Sequence, residues 1–227
     1  MTLMTLSSRL SRIRNYIPHQ SPARKTLLRR RWDICRMETR RYNPAMMPTI
    51  ETLRLLLRPL ELADADAAQV LFPHWEIVRY LTSEVPWPYS PDGVQTYYRE
   101  KALPAMVRGD AWHWTLRLKS SPERMIGAIS LIRGENENRG FWLGVPWQGQ
   151  GLMSEACEAV TEYWFNTLNF PVMRVAKAIA NTASRRISAK SGMRIITTSE
   201  REYVSGRLPG EIWEITADEW NARKLRS

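Results

Sequence analysis

The sequence predicts a single-domain α/β protein of the α+β type, in which a mixed, mostly antiparallel sheet of six to seven strands carries helices on both faces. Residues 111–118 and 125–132 alternate apolar and polar side chains around a short turn, as an antiparallel hairpin does. The apolar run 141–145 is followed by a helical repeat and then by a second apolar run at 172–180. A single helix between two strands indicates that those strands are parallel, so the sheet must be mixed.

The composition is that of a folded protein with an uneven charge. Of the 227 residues, 44% are hydrophobic and ten are tryptophans, which excludes a disordered chain. The formal net charge of +10 points to a polyanion, but residues 1–48 hold eleven basic and two acidic side chains, a net charge of +9. The rest of the chain holds 22 basic and 21 acidic side chains. The function of the main domain therefore need not involve nucleic acid.

Residues 1–48 form a basic segment that we expect to be a disordered extension. Three interpretations fit its composition: a transit peptide, a basic arm that contacts RNA or an acidic membrane, or an upstream extension of the reading frame that starts before Met46 or Met47. We favour the third. Pro44 and Pro48 mark the boundary, so we expect the main domain at 49–220 and a tail at 221–227.

The two cysteines, Cys35 and Cys157, give neither a disulfide framework nor the spacing of metal ligands, so we expect no metal. The apolar runs are far shorter than the ~20 residues that a membrane span needs. We therefore expect a cytoplasmic monomer or homodimer without a membrane partner. Nucleic acid could be bound only through residues 1–48.

The first half of the main domain is expected to contain more helix than strand. A strand is expected at 49–58, because leucines alternate with polar residues there, and Pro59 ends it. Three prolines within 83–91 indicate an ordered loop without regular hydrogen bonding. Apolar spacing predicts three helices, at 60–72, 75–81 and 92–107.

The second half contains a strand, a glycine turn and a helix in direct succession. After the strand 141–145, Pro146 cannot continue the ladder because it has no N–H. Helical spacing begins at Leu152 and runs to about Leu168. A basic helix is expected at 181–190, and a closing hairpin is expected from 193–204 and 211–216 around a turn at 205–210.

The glycine turn Gln148–Gly151 is the first sign of chemistry. A strand that ends in glycines and opens a helix points free N–H groups at one place, with the positive end of the helix dipole behind them. Such a place suits a phosphate. A plain β–α turn, in which glycine only relieves strain, explains the same residues equally well. A Rossmann-type site is a poor match, because the third glycine and the following acidic residue are absent.

A second block makes a family resemblance specific. The order strand, Gln148–Gly151, amphipathic helix, strand, then Asn181-Thr-Ala-Ser184 and Lys190-Ser-Gly-Met193, resembles the GNAT superfamily of N-acetyltransferases over roughly residues 50–220. The pattern is most similar to the RimJ/RimL-type branch, which acetylates the N-termini of ribosomal proteins. The resemblance implies the acyl-CoA N-acyltransferase fold and acetyl-CoA as co-substrate. Met153 departs from the family's motif, where glycine or alanine is usual.

The resemblance also implies where the co-substrate binds. Backbone groups of Leu143, Gly144 and Val145 would bond the pantetheine arm as an added strand would. Asn181 would bond the pantetheine as well, and Ser184 would lie near the thioester sulfur. The alternative for Asn181 is an ordinary helix cap. The pyrophosphate would be held by the residues around the turn, which are Gln148, Gly149, Gln150, Gly151, Leu152, Met153 and Ser154.

The implied reaction is direct attack of a primary amine on the thioester, the amine belonging to a protein N-terminus or to a small molecule. Ser184 is the expected proton donor to the leaving thiolate, and Glu202 the expected base. Glu84 and His113 are alternative bases, each with an ordinary structural explanation. The loop 86–89 and the hairpin 203–209 would flank the acceptor. The competing hypothesis is a catalytically silent, ribosome- or RNA-associated protein that uses the basic arm.

Overall fold

A computed structural model describes residues 47–224 of the chain. Five strands form an antiparallel sheet in the order β1 (Ile50–Glu51), β2 (Leu55–Pro59), β3 (Ala111–Leu118), β4 (Ser121–Ile132) and β5 (Arg139–Leu143). The hairpin β3–β4 is where the alternating pattern predicts it. Strand β3 lies at the centre of this sheet and is buried on both faces, since its tryptophans and its His113 and Thr115 are all buried.

Three further strands form a second antiparallel sheet in the order β6 (Val172–Ala178), β8 (Gly206–Thr216) and β7 (Arg194–Tyr203). The turn between β7 and β8 lies earlier than the predicted 205–210, because Gly206 to Gly210 already pair with β7. Pro209 is tolerated in the central strand because it lies beyond the end of β6, whose last residue pairs with Gly210.

Helices cover the sheets in the expected places. The predicted long helix at 92–107 is one continuous stretch in which a π turn, Tyr98–Ala102, joins two α segments. A second π turn, Tyr163–Thr167, extends the helix that follows the glycine turn. The α-helices are α1 (Ala65–Leu71), α2 (Trp75–Val78), α3 (Gly93–Tyr97), α4 (Leu103–Arg108), α5 (Leu152–Glu162), α6 (Thr182–Lys190) and α7 (Ala217–Lys224).

The two sheets meet at one end and separate at the other. The Asn138 N–H donates to the Arg174 carbonyl, and the Arg174 N–H donates to Asn138 Oδ1, both over 2.7 Å. These residues lie at the beginnings of β5 and β6. Further along, these two strands share no ladder in the part of the chain that the structure describes. The mixed α/β fold is thus confirmed, but the eight strands that the structure describes are divided, five and three, between two antiparallel sheets, and the expected parallel pair 141–145 and 172–180 shares no ladder.

The boundaries of the domain differ in detail from the expected ones. Residues 1–46, which make up nearly all of the basic segment, lie outside the described residues, and so does any RNA-binding role for that segment. Met47 is buried, and the Pro48 carbonyl accepts a hydrogen bond from Trp114 Nε1 over 2.9 Å. At the other end, residues 221–224 continue helix α7, where a tail was expected.

Candidate active site

A cavity of about 490 Å³ fills the space where β5 and β6 diverge. We call it the cleft. Its lining comes from β5, the glycine turn, the start of α5, β6 and α6 on one side and from α2 on the other. A cavity between two separated strand edges can accept an extended ligand that pairs with either edge.

Strand β5 presents a backbone edge to the cleft. The Gly144 N–H donates to the Ile126 carbonyl of β4 over 2.8 Å. Because neighbouring residues of a strand point their polar groups to opposite sides, the N–H and C=O groups of Phe141 and Leu143 face away from β4, toward the cleft. The Leu143 carbonyl accepts from Gln148 Nε2 over 2.8 Å. Phe141, which the sequence analysis did not name, therefore shares the edge.

The neighbouring predicted positions are arranged differently. The Gly144 carbonyl accepts from the Trp147 N–H over 3.0 Å, so both backbone polar groups of Gly144 are used within the protein. Val145 starts a 3₁₀ turn, Val145–Trp147, and its carbonyl accepts from the Gln148 N–H. The strand ends two residues earlier than expected, which moves the pairing edge from 143–145 toward 141–143.

The glycine turn has the geometry of an anion site. Gly149 and Gly151 have φ of +75° and +78°, a region that favours glycine. Gly151 caps α5, an eleven-residue helix whose first amides have no partner within the helix. Nothing lies within 4 Å of the position that a Gly149 Cβ would take, so the backbone there is bare. Both glycines, Leu152, Met153 and Ser154 line the cleft.

Gln150 differs from the other residues of the turn. Its side-chain Nε2 donates to the Pro146 carbonyl over 3.0 Å, and its own carbonyl accepts from Arg54 Nη1 over 2.9 Å. Gln150 does not line the cleft. Met153 lines the cleft and is at the same time only 7% exposed, packed in the hydrophobic core.

A carboxylate ties the start of α5 to the first sheet. Glu155 accepts from Thr52 Oγ1 over 2.5 Å and from the backbone N–H and Nε of Arg54, each over 2.7 Å. Burial works to raise the pKa of Glu155, but these hydrogen bonds outweigh it and hold the pKa below its ordinary value. The same contacts hold the turn at 52–54 that divides the predicted first strand into β1 and β2.

Helix α6 places the second motif at the cleft. Asn181 caps the helix, and its Oδ1 accepts from the Ser184 N–H over 3.1 Å. Ser184 is 8% exposed, and its hydroxyl accepts from Lys177 Nζ over 2.7 Å. Arg186 and Lys190 line the cleft with exposed side chains. Arg185 does not, because Glu211 holds its guanidinium with two hydrogen bonds.

Lys177 is the functional candidate that the sequence analysis missed. It is 6% exposed, lines the cleft, and its Nζ lies 5.3 Å from the centroid of the Phe141 ring. Burial, with a smaller effect of the nearby Arg139 charge, lowers its pKa to about 7. The alternation of β6 could have revealed it, because Met173, Val175 and Lys177 occupy the same inward face.

The opposite wall of the cleft is built by α2 and the residues after it. Glu76, Ile77, Arg79, Tyr80 and Leu81 contribute to the lining. The tip of the β7–β8 hairpin docks here, since the Val204 N–H donates to the Leu81 carbonyl and the Ser205 N–H to the Arg79 carbonyl, over 3.0 and 3.1 Å. Among the described residues that line the cleft, Glu76 is the only carboxylate.

The three bases considered from the sequence all lie outside this lining. The Glu202 side chain is exposed, and its backbone carbonyl accepts from the Ser83 N–H over 3.4 Å, so its contribution here is structural. Glu84 is exposed as well. His113 is 6% exposed in the core beside Tyr97, and burial lowers its pKa to about 4, so it is a neutral core histidine.

The expected aromatic loop reaches the cleft only indirectly. Tyr89 packs edge-on against Phe72, and Phe72 packs in the same way against Trp142, with ring centroids 5.1 and 5.4 Å apart. Trp142 lines the cleft. Between residues 47 and 224, no three His, Cys, Asp or Glu side chains are grouped as a metal site requires, and no helix is long and apolar enough to cross a membrane.

Comparisons with known proteins agree with this geometry. Residues 54–194 match the family model of the acetyltransferase (GNAT) domain. An uncharacterised N-acetyltransferase of Bacillus subtilis, YnaD, is 29% identical over 181 residues, which cover 76% of this chain and 99% of that protein.

Solved structures share the fold at low sequence identity. The ribosomal L7/L12 α-N-protein acetyltransferase RimL in complex with coenzyme A superposes with a TM-score of 0.63 at 18% identity, covering 76% of this chain and 98% of that one. The ribosomal-protein-S5-alanine acetyltransferase of Vibrio fischeri superposes with a TM-score of 0.65 at 15% identity, with the same coverage.

Proposed function

This chain belongs to the GNAT acetyltransferase family, and from that premise we propose that it transfers the acetyl group of acetyl-CoA to a primary amine, either a protein N-terminus or a small amine. The cleft between β5 and β6 carries the proposal. At its mouth lies the N-terminus of α5 behind two glycines, and inside it lies the bonded pair Ser184 and Lys177. A phosphate site beside a free strand edge suits acetyl-CoA better than most ligands, because acetyl-CoA joins a pyrophosphate to an extended arm that can pair with a strand.

The residues present suit acetyl-CoA. We propose that the amides from Gly149 to Met153, with Ser154, hold the pyrophosphate, because a helix N-terminus favours negative charge, whereas the Gln148 N–H is already given to the Val145 carbonyl. Arg186 and Lys190 supply exposed positive charge nearby. The edge formed by Phe141 and Leu143 receives the pantetheine arm. Asn181 serves both as helix cap and as a cleft residue, since its Nδ2 is not needed for the cap.

The chemistry divides between the two walls. Acetyl-CoA supplies an acetyl group activated as a thioester. The attacking amine must be neutral, so a group on the acceptor side has to receive its proton, and Glu76 is the carboxylate that lines this side. Glu202, the base expected from the resemblance, could act only through water or a movement of the hairpin. Ser184 is the proposed proton donor to the departing sulfur.

The acceptor is the least constrained part of the proposal. Two structural relatives are described as acetylating ribosomal proteins, and this supports a protein N-terminus as one acceptor class. The cytoplasm would supply both acetyl-CoA and such acceptors. We further propose that residues 49–220, extended by Met47, Pro48 and helix α7, are the catalytic domain and that the basic segment is dispensable for catalysis.

The test is an acceptor screen that follows the release of free thiol from acetyl-CoA. Peptides with alanine, serine or methionine at the N-terminus are compared with small amines, and each peptide has a control whose N-terminus is blocked. We expect release with at least one free amine and none with its blocked partner. Failure of the protein to bind acetyl-CoA in calorimetry would overturn the proposal.

A further inference from the structure

We infer that Lys177 is a positioning residue that orients the Ser184 hydroxyl as a proton donor and replaces its proton in each catalytic cycle. The inference rests on the proposed function, because it takes Ser184 as the donor to the departing sulfur. It adds a residue and a proton path that neither the motif nor the family match assigns.

The first support is the direction of the hydrogen bond. Lys177 Nζ donates to Ser184 Oγ over 2.7 Å. A serine hydroxyl has one proton and two lone pairs, so an oxygen that accepts from an ammonium keeps its own proton for another partner. The Ser184 N–H is held by Asn181, which fixes the first turn of α6. With these contacts in place, the Ser184 hydroxyl proton is left for a group in the cleft.

The second support is the environment of the amine. Lys177 lies against the Phe141 ring, is faced by Arg139 from β5 and Cys157 from α5, and stands opposite Glu211 of β8, whose carboxylate is held by Arg185. Among the described residues, no carboxylate forms an ion pair with Lys177. An ammonium that is desolvated and not neutralised exchanges its proton more readily than an exposed one, and burial brings this pKa to about 7.

A purely structural explanation for Lys177 is weakened by a neighbouring serine. Ser188 lies one turn further along α6 and is fully buried, and its hydroxyl has no hydrogen-bond partner among the described atoms. The fold therefore tolerates a buried serine without a lysine beside it. A lysine that loses most of its solvation to reach Ser184 costs stability, and such a cost is typical of a functional site.

The proton path balances. As the carbon–sulfur bond breaks, its electron pair goes to the sulfur, and the Ser184 hydroxyl proton moves to that sulfur to give the thiol. A proton moves from Lys177 Nζ to Ser184 Oγ, which restores the hydroxyl and leaves a neutral amine. Lys177 then regains a proton from water. The proton that the attacking amine gives up leaves through the acceptor side and offsets the proton that Lys177 takes up, so a neutral amine reacts with no net release of protons.

The experiment compares Lys177→Met, Ser184→Ala and the double variant by kcat, by the KM for acetyl-CoA and by the pH dependence of kcat. Methionine is unbranched and only one atom shorter than lysine, and it removes the ammonium group. We expect kcat to fall about 30-fold in Lys177→Met with the acetyl-CoA KM changed less than threefold, because the path acts on proton transfer. The double variant should be no slower than Ser184→Ala, since Lys177 acts through Ser184.

The pH profile separates this role from packing. The active form carries the Lys177 proton, so wild-type kcat should decline as pH rises through about 7, and this decline should be absent in Lys177→Met. A readout without turnover is NMR of ¹³C-lysine-labelled protein, in which the Lys177 signal is assigned by its loss in Lys177→Met. Its pKa should lie well below the ordinary lysine value of 10.5.

The outcomes are distinguishable. A Lys177→Met protein that keeps its kcat and the alkaline decline would overturn the inference while leaving the acetyltransferase assignment intact. A Lys177 signal that titrates near the ordinary lysine value of 10.5 would overturn it as well. If the wild-type protein releases no thiol with any amine and does not bind acetyl-CoA, the proposed function itself fails.

Discussion

The two walls of the cleft are built on different principles. The wall formed by β5, α5 and α6, which we propose binds the acetyl donor and call the donor wall, offers mainly backbone groups: a strand edge, the amides behind Gly151 and the cap of α6. On the acceptor wall, formed by α2 and the tip of the β7–β8 hairpin, side chains such as Glu76 and Tyr80 face the cleft. Backbone recognition demands glycine, a cap and a fixed spacing, whereas side-chain recognition leaves no such pattern.

This difference explains why the donor wall can be predicted from the sequence and the acceptor wall cannot. A donor that is the same throughout a family can be met by invariant backbone geometry. An acceptor that changes must be met by residues that are free to change. The following variants test whether the division between the two walls is real, in order of decreasing expected effect.

Gly151→Asp should weaken acetyl-CoA binding about 100-fold or more. The substitution places an L-residue at a φ of +78°, which costs roughly 1–2 kcal/mol, and puts a negative charge where we propose a pyrophosphate. Calorimetry measures the affinity. The matched control is Gly206→Asp, which has a φ of +103° in the β7–β8 hairpin and nothing within 4 Å of its Cβ. Equal acetyl-CoA affinities in the two variants would contradict the proposal that the glycine turn binds the pyrophosphate.

Ser184→Ala should lower kcat about 100-fold while leaving acetyl-CoA affinity within about threefold of wild type, because a general acid contributes roughly 10²–10⁴-fold. Steady-state kinetics at saturating acceptor measures this. Ser188→Ala is the control on the same helix, and since its hydroxyl has no partner among the described atoms, we expect kcat within twofold of wild type. A Ser184→Ala protein as active as this control would contradict the assignment.

Glu76→Gln should raise the acceptor KM or lower kcat about 10-fold without changing the KM for acetyl-CoA, since it removes the carboxylate of the acceptor wall. The same kinetic measurements on Glu202→Gln decide whether the base is Glu76, which lines the cleft, or Glu202, which the sequence resemblance implies. The Glu202 side chain is exposed outside the cleft, so we expect little effect. A larger loss of activity in Glu202→Gln than in Glu76→Gln would support Glu202 as the base and overturn the role proposed for Glu76.

Glu155→Gln should lower the free energy of unfolding by about 1 kcal/mol at neutral pH, a modest value because Arg54 is nearly half exposed. The folded-state pKa of Glu155 lies below its ordinary value of 4.5. Its contribution is therefore present above that value and is lost as pH falls through the lower folded pKa, so both proteins should converge in acid.

Urea denaturation followed by tryptophan fluorescence measures this loss. Glu51→Gln is the control, because Glu51 is more exposed and pairs with Lys119 at the surface. A loss in Glu155→Gln no greater than in the control would mean that α5 does not depend on its link to the first sheet.

Much of the fold could be predicted because it follows from local patterns. The hairpin β3–β4, the glycine turn and helix α6 behind Asn181 all rest on alternation, glycine and capping, which act within a few residues. The break between β1 and β2 could not be predicted, since the turn at 52–54 is held by Glu155, about a hundred residues away. The turn of the last hairpin was placed too late because Pro209 and Gly210 are turn-formers in isolation, yet both lie in β8.

Prediction of the individual site residues from local sequence patterns meets the same limit. Ser184 belongs to a recognisable motif, whereas Lys177 is marked only by its place in the alternation of β6. A lysine on an inward face is informative only once its neighbours are known to be apolar. Glu76 has no sequence signal, because its importance comes from the docking of the β7–β8 hairpin on the residues after α2. Long-range packing decides which polar side chains meet.

The separation of strands β5 and β6 also affects the thermal stability of the protein. They are joined by hydrogen bonds between Asn138 and Arg174, and beyond these bonds neither edge has a neighbouring strand among residues 47–224. In the proposed complex, the co-substrate takes the position of a missing strand between these edges, so part of the interactions that hold the folded protein together comes from the ligand. At a concentration 100 times its dissociation constant, such a ligand adds about 2.7 kcal/mol. The melting temperature of this enzyme should therefore report the acetyl-CoA level around it.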